Sequence, residues 1–132
     1  MSASENKQLI ETIFSELSKG NSKPLADTFS DKVRWNISGS IKWSRTYDGK
    51  EAVFKQLLGP LASLVEGPIR LTAHRIIAEG DYVVVEARGN STTKSGKDYN
   101  NTYCFVIRVV DGKIEELTEY MDTALAVAVF GE

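Results

Sequence analysis

A single carboxylate lies between apolar residues in the segment KIEELTEYM near the end of the chain. Leu117, Glu119 and Met121 occupy alternate positions there, and alternate side chains of a β-strand share one face. If that face points inward, the carboxylate lies in apolar surroundings, where a charged group is kept only when it is paired or used. The pattern predicts a general acid or base, or an anchor for a polar group of a ligand. A structural ion pair or a solvated position is the alternative.

Further polar pairs occur on the preceding strands. Glu86 and Arg88 are two residues apart and share a face, and an exposed ion pair is the expected arrangement. Asn101 and Tyr103 also share a face. They could offer an amide and a hydroxyl to a ligand, or serve packing or a dimer interface.

Two tryptophans, Trp35 and Trp43, could wall a pocket or belong to the core. Asp122 precedes an apolar tail and is expected to cap a terminal helix rather than to do chemistry. The chain has one histidine, His74, and one cysteine, Cys104. This composition argues against a zinc site and excludes an intrachain disulfide, so no metal and no cofactor is expected.

Length and composition indicate one domain, residues 1–132. Apolar residues make up 42% and charged residues 26% of the chain, and the net charge is −2. These values are ordinary for a soluble globular protein and give no electrostatic reason to expect nucleic acid as a partner. No apolar run approaches the ~18 residues of a membrane span and no signal peptide is apparent, so neither membrane association nor export is expected. The expected location is cytoplasmic.

The periodicity of apolar residues predicts helices first and strands afterwards. The predicted elements are a helix ending at Gly20-Asn21, a helix at 22–29, a strand at 32–38, a loop at 39–48, a helix at 50–65 interrupted by Gly59-Pro60, strands at 69–78, 82–92, 97–110 and 113–121, and a helical tail at 123–130. Such an order indicates an α+β domain whose sheet curls around a helix.

Several strands are apolar on both faces, as in the runs YVVV at 82–85 and YCFVI at 103–107. A sheet with one face in water should alternate more cleanly between apolar and polar residues. A second subunit is therefore expected to cover the outer face, which predicts a homodimer.

Four segments together resemble the SnoaL-like, ketosteroid-isomerase-like superfamily, also called nuclear-transport-factor-2-like. They are the helical opening that ends in Gly20-Asn21, TYDGKEAV, AEGDYVVVEARG and VVDGKIEELTEYMD. The resemblance covers nearly the whole chain. It implies a cone-shaped α+β fold of the cystatin-like kind, with a curved mixed or antiparallel sheet wrapped around N-terminal helices. It also implies a pocket at the wide end and, usually, a dimer.

The resemblance argues against steroid-isomerase chemistry. The isomerases' tyrosine falls on Phe14 and their proton-shuttling aspartate near Asn36, which cannot act as a base. Their second oxyanion donor falls near Cys104 or Phe105.

Epoxide-hydrolase-like members of the superfamily fit better. Their water-activating aspartate falls on Glu119, and the asparagine that holds the water falls on Asn36, or on Trp35 or Ile37 if a one-residue gap intervenes. Their Arg-x-Asp pair corresponds to Glu86-Ala87-Arg88 with the charges reversed. As the alternative to an exposed ion pair, the resemblance implies a Glu86–Arg88–Glu119 cluster in which Arg88 pairs one carboxylate and leaves the other as base.

The expected function is that of a SnoaL-like pocket protein for a small, mostly apolar cyclic metabolite, with Glu119 as acid/base in a hydrolase, isomerase or cyclase reaction. The pocket would include Trp35, Asn36, Glu86, Arg88, Asn101, Tyr103, Leu117 and Met121. The alternative is a non-catalytic dimeric ligand-binding or accessory protein that uses the same pocket.

Overall fold

Two helices open the chain in the computed structural model, which describes residues 1–132. Helix α1 (Ala3–Leu17) starts with a capping box between Ser2 and Glu5, and α2 (Lys23–Thr28) has a proline in its first turn. Between them Gly20 has φ of +84°, and a Cβ added to it would lie 2.6 Å from Cγ of Pro68. Glycine therefore serves both the left-handed backbone and the close approach to the sheet.

Six strands form one curved, unclosed sheet in the order β2-β1-β6-β5-β4-β3. The strands are β1 (Phe29–Ile37), β2 (Thr46–Asp48), β3 (Val65–Glu79), β4 (Tyr82–Thr93), β5 (Thr102–Val110) and β6 (Lys113–Met121). The β1–β6 pair is parallel and the other pairs are antiparallel. This mixed α+β architecture confirms the predicted fold class.

The predicted bounds needed several corrections. The segment predicted as a loop contains β2, and β1 begins at Phe29, earlier than expected. Strand β3 begins at Val65, while β5 begins only at Thr102. The bounds predicted for β6 and for the last helix, α5 (Thr123–Phe130), are confirmed.

The central helical segment (residues 50–62) consists of α3 (Lys50–Ala52), a π-helical stretch (Val53–Leu58) and α4 (Gly59–Ala62). Proline removes a backbone donor, and the widened turn before Pro60 accommodates that loss without ending the helix. The segment buries Val53 and Leu57 against the sheet, and it ends three residues before the predicted bound.

The core lies between the concave face of the sheet, α1 and the central helical segment. Its buried residues include Ile10, Ile13, Phe14, Leu17, Val33, Val53, Leu57, Val83, Val85, Phe105, Ile107, Val109, Ile114 and Leu117. Helix α1 crosses β3 and β4. None of the helices is long and apolar enough to cross a membrane.

Residues in register form rows across the convex, outer face of the sheet. One row runs Ile77, Val84, Val106, Thr118, Asn36, Thr46. A second row runs Arg75, Glu86, Cys104, Tyr120. We call these residues the outer face. Ile77 and Tyr120 are 55% and 49% exposed, so large apolar side chains face solvent in the isolated chain.

Candidate functional site

A cavity of about 350 Å³ opens between the concave face of the sheet, α2, the central helical segment and α5. Most of its lining is apolar. The lining side chains include Leu17, Leu25, Phe29, Trp35, Ile37, Trp43, Phe54, Leu58, Leu61, Leu71, Ser91, Tyr99, Tyr103, Phe105, Glu119, Met121 and Phe130. The volume suits a ligand of one or two rings, since small-molecule pockets begin at about 300 Å³.

Glu119 is the only charged residue that lines the cavity. In the sheet it lies between Ile37 of β1 and Phe105 of β5, and only 7% of it is exposed. Burial among apolar groups disfavours the charged form and raises the pKa of Glu119 to about 7, although a hydrogen bond from Trp35 acts in the opposite direction. A carboxyl group with this pKa can both give and take a proton near neutral pH.

Trp35 supplies the one hydrogen bond that the side-chain carboxyl group of Glu119 receives from the protein. Its Nε1–H donates to Oε1 of the carboxyl group across 3.0 Å. The indole packs edge-on against Phe29, with ring centroids 6.1 Å apart, which holds it in place. Oε2 of Glu119 has no protein partner, so it is the oxygen left to interact with a ligand.

Two phenols extend the polar part of the cavity. Tyr103 stacks on Phe105 with ring centroids 5.3 Å apart. Burial is the main cause that raises the pKa of both Tyr103 and Tyr99, and the nearby charge of Glu119 raises both further. Both hydroxyls therefore stay protonated at neutral pH and can donate hydrogen bonds. The Tyr99 hydroxyl donates to Sδ of Met121 across 3.7 Å, a weak acceptor that a ligand oxygen can replace.

Asn101 is fully buried but does not line the cavity. Its Nδ2 donates to the Tyr99 hydroxyl (2.9 Å) and to the Asp122 carbonyl (3.0 Å). Its Oδ1 accepts from the backbone N–H groups of Thr102 (2.8 Å) and Asp122 (3.2 Å). The amide predicted to meet a ligand instead ties the start of β5 to the end of β6 and fixes the position of Tyr99.

Helix α5 closes one side of the cavity. The carboxylate of Asp122 accepts from the Leu125 N–H and caps the helix, as its sequence position predicted. At the other end, Phe130 packs against Tyr99 and Trp43, with centroid distances of 4.6 and 6.4 Å. Lys42 donates from Nζ to the Phe130 carbonyl (2.6 Å), which secures the end of the helix.

Three residues predicted for the pocket lie on the opposite side of the sheet. Asn36 donates to Oγ1 of Thr46, its neighbour in the outer-face row. Glu86 pairs with Arg75 across 2.8 Å. Arg88 is exposed on the same side of β4 as Glu86 and has no ion pair. A Glu86–Arg88–Glu119 cluster is therefore wrong, because the sheet separates the first two from the third.

Trp35, Tyr103, Glu119 and Met121 are the predicted site residues that the structure brings together around the cavity. Leu117 shares their face but is 2% exposed and belongs to the core below the cavity. Of the three positions that the epoxide-hydrolase resemblance left open on the first strand, Trp35 is the one that hydrogen-bonds to Glu119. Alternation places Asn36 on the outer face, and Ile37, which lies beside Glu119 in the sheet, has no polar group to offer.

The sequence interpretation missed Tyr99 and Phe130 as lining residues. Tyr99 precedes β5 and is positioned by its N–H bond to the Ser91 carbonyl (2.8 Å). Its alternation with Asn101 and Tyr103 was the one available signal. Phe130 lies in a uniformly apolar tail, where no periodicity distinguishes a lining residue from its neighbours. The structure brings no group of three or more His, Cys, Asp or Glu side chains together.

The chain matches the family model of the SnoaL-like domain over residues 10–117. Among solved structures it is similar to a nuclear-transport-factor-2-like protein from Burkholderia xenovorans LB400, with 25% identity over 98% of each chain and a TM-score of 0.74. A candidate SnoaL-like polyketide cyclase from Jannaschia sp. CCS1 is 15% identical, with 98% of this chain and 93% of that one covered and a TM-score of 0.78. TerC, crystallised with polyporic acid, is 19% identical, with 96% and 98% covered and a TM-score of 0.79. No protein of curated function matches.

Proposed function

Because the chain belongs to the SnoaL-like domain family, we propose that it is a cofactor-independent acid/base enzyme acting on a small, mostly apolar cyclic metabolite. The observation that carries this proposal is Glu119, an unpaired carboxyl group in an apolar cavity, with a pKa raised to about 7 by burial. Strongly perturbed carboxyl groups in clefts are characteristic of acid/base sites.

The proposed mechanism uses three groups. Glu119 takes a proton from the ligand, or from a water that attacks it, through the free Oε2, and returns a proton at a second position. The hydroxyls of Tyr99 and Tyr103 donate hydrogen bonds to oxygen on which negative charge develops. The apolar walls exclude bulk water, which strengthens these interactions. Proton transfer within a ring ligand and addition of water to an epoxide both fit these roles.

Two of the structural neighbours are connected with cyclic organic molecules. One of them is the candidate polyketide cyclase and another, TerC, was crystallised with polyporic acid. At these identities the likeness supports the shared fold alone, so the reaction type rests on the cavity of this chain.

The test is turnover of simple probes by wild type and Glu119→Gln. Cyclic ketones in D₂O report proton abstraction as deuterium incorporation by NMR, and cyclic epoxides in ¹⁸O-labelled water report hydration by mass spectrometry. We expect Glu119→Gln to lower either rate by at least about 100-fold, the usual contribution of a positioned acid or base. Glu79→Gln, an exposed change at the end of β3, is the control and should retain full activity.

One observation favours a second candidate, a non-catalytic binding protein. The polar partners that the epoxide-hydrolase resemblance assigned to Asn36, Glu86 and Arg88 lie across the sheet from Glu119. Binding of the same probes without turnover in wild type would select this candidate.

The outer face supports a further part of the proposal, a homodimer. Its first row, which begins at Ile77, is apolar at Ile77, Val84 and Val106, and Tyr120 lies in its second row. A second copy of the chain placed against this face would remove these side chains from water.

A further inference from the structure

Glu119 is the only charged residue in the lining of the cavity. No lysine, arginine or histidine lines it. Lys42 lies outside the lining, where its Nζ is hydrogen-bonded to the Phe130 carbonyl and lies 5.9 Å from the centroid of the Trp43 ring. The titratable groups that face Glu119 from the neighbouring elements are phenols, namely Tyr47 on β2, Tyr99 before β5 and Tyr103 on β5. No cation is among the groups that shift the pKa of Glu119. A negative charge on Glu119 is therefore supported by the Trp35 hydrogen bond but paired with no cation in the lining.

The walls of the cavity are rich in aromatic rings. The aromatic lining residues are Phe29, Trp35, Trp43, Phe54, Tyr99, Tyr103, Phe105 and Phe130. The face of an aromatic ring carries negative charge density and attracts cations, most strongly where water is excluded. Ring faces and carboxylate thus favour the same sign of ligand charge.

Anionic, neutral and cationic ligands interact differently with this cavity. An anion would be buried beside Glu119 with no cation to pair it, which is costly in an apolar medium. A neutral ring compound gains apolar contacts alone. A cation gains the same contacts, an ion pair with the otherwise unpaired Oε2 and the attraction of the rings.

From this distribution of charge we propose that the cavity selects a hydrophobic amine in its ammonium form, with the nitrogen at Oε2 of Glu119 and the hydrocarbon against the aromatic walls. This rests on the proposed function, because it takes the same cavity as the ligand site. It narrows the proposed substrates from apolar cyclic metabolites in general to those that carry an amine, with the nitrogen beside Glu119.

The proposal has a consequence for pH. An ammonium ion pairs with the ionised carboxylate, whereas Glu119 with a pKa of about 7 is largely protonated below that pH. Alkylamines remain protonated up to about pH 10. Amine affinity should therefore rise from pH 5.5 to pH 8, and binding near pH 6 should release a proton from Glu119.

The test uses three probes of nearly equal shape, namely adamantylamine, adamantanol and adamantane carboxylate, titrated calorimetrically into the wild-type chain at pH 5.5 and pH 8. At pH 8 we expect the amine to bind about tenfold more tightly than the alcohol, mainly through the ion pair with Glu119 and in smaller part through the rings. The carboxylate should bind more weakly than the alcohol. Glu119→Gln should remove most of the amine's advantage over the alcohol and leave only the attraction of the rings, while Glu79→Gln should leave all three unchanged.

The outcomes separate this inference from the proposed function. Equal binding of amine and alcohol, or tightest binding of the carboxylate, overturns the amine preference and leaves the cavity as the ligand site. Failure of all three probes to bind overturns both. An amine preference of undiminished size in Glu119→Gln also overturns the inference, since the carboxylate would then not be the group that recognises the ammonium.

Discussion

The Nε1–H of Trp35 donates to Oε1 of Glu119 across 3.0 Å, joining two residues that are 84 positions apart in the chain. Parallel pairing of β1 with β6 places Trp35 opposite Leu117. Leu117 is two residues before Glu119 and shares its face of β6, so the indole lies within reach of the carboxyl group. A neutral donor supports the carboxylate without cancelling its charge. The carboxyl group is thus oriented by Trp35 while its second oxygen and its proton remain available.

Removing this donor should make Glu119 a weaker acid. The hydrogen bond from Trp35 lowers the pKa of Glu119 against the larger effect of burial. We therefore expect Trp35→Phe to raise that pKa above about 7, measured by NMR titration of the ¹³C-labelled carboxyl group. Trp43→Phe is the matched control, because the Trp43 indole makes no hydrogen bond to Glu119. An unchanged pKa in Trp35→Phe would show that the hydrogen bond does not form in solution.

Stability should depend on pH through Glu119. The folded-state pKa of about 7 lies above the ordinary value of 4.5, so the folded chain binds this proton more tightly than the unfolded chain does. The resulting stability is fully present below about pH 4.5 and is lost as the pH rises to about 7. The loss is at most about 3 kcal/mol, since each pKa unit corresponds to about 1.4 kcal/mol.

Glu119→Gln removes this dependence. The variant should therefore gain stability relative to wild type between pH 5 and pH 8, by up to about 3 kcal/mol. Urea denaturation at the two pH values measures the difference, with Glu79→Gln as the control. A difference between variant and wild type that is the same at both pH values would contradict the raised pKa.

Asn101→Ala should be strongly destabilising although it removes no cavity-lining side chain. The change leaves the N–H groups of Thr102 and Asp122 without their acceptor and removes the donor to the Asp122 carbonyl and to the buried Tyr99 hydroxyl. We expect a loss of about 2–3 kcal/mol in the free energy of unfolding. Asn90→Ala, at an exposed position on β4, should change it by less than about 0.5 kcal/mol. Equal losses of stability in the two variants would show that the hydrogen bonds of Asn101 between the start of β5 and the end of β6 do not stabilise the fold.

A charge placed on the outer face should dissociate the proposed dimer. Light scattering of the wild type should give twice the 14.6 kDa mass of the chain. Tyr120→Arg should reduce this to a monomer, because two copies would bring buried, unpaired charges together. Leu64→Arg is the control, since Leu64 is also an exposed large apolar residue but lies outside the outer face. A monomeric wild type at micromolar concentration would exclude the dimer.

Alternation along strands predicted much of the site. The bounds of β6 and the shared face of Leu117, Glu119 and Met121 follow from residues 113–121 alone. Turn residues precede this segment, and most of its polar and apolar residues lie on different faces. On β4 both faces carry valines, so alternation grouped Glu86 with Arg88 but could not tell which face is inward. The burial of Val83, Val85 and Ala87 decides it.

Other features depend on contacts distant in sequence. An asparagine at position 101 could bind either a ligand or the backbone, and the sequence does not distinguish these roles. The position of Asp122, directly after β6, decides in favour of the backbone. The π-helical stretch at Val53–Leu58 arises where a proline must be fitted into a helix that packs on the sheet. Propensity at 50–65 predicts the helix but not its widened turn.

The parallel pairing of β1 with β6 also bears on how the chain folds. Strands β3, β4, β5 and β6 are consecutive antiparallel partners joined by short connections. In contrast, β1 and β6 pair although most of the chain lies between them in sequence. Contacts between distant residues carry the larger loop-closure entropy and tend to form late. Before β1 docks, β6 is an open edge, and an inward-pointing charge on such an edge discourages pairing with other chains. The carboxylate of Glu119 would then protect the partly folded chain from aggregation until Trp35 arrives to cover it.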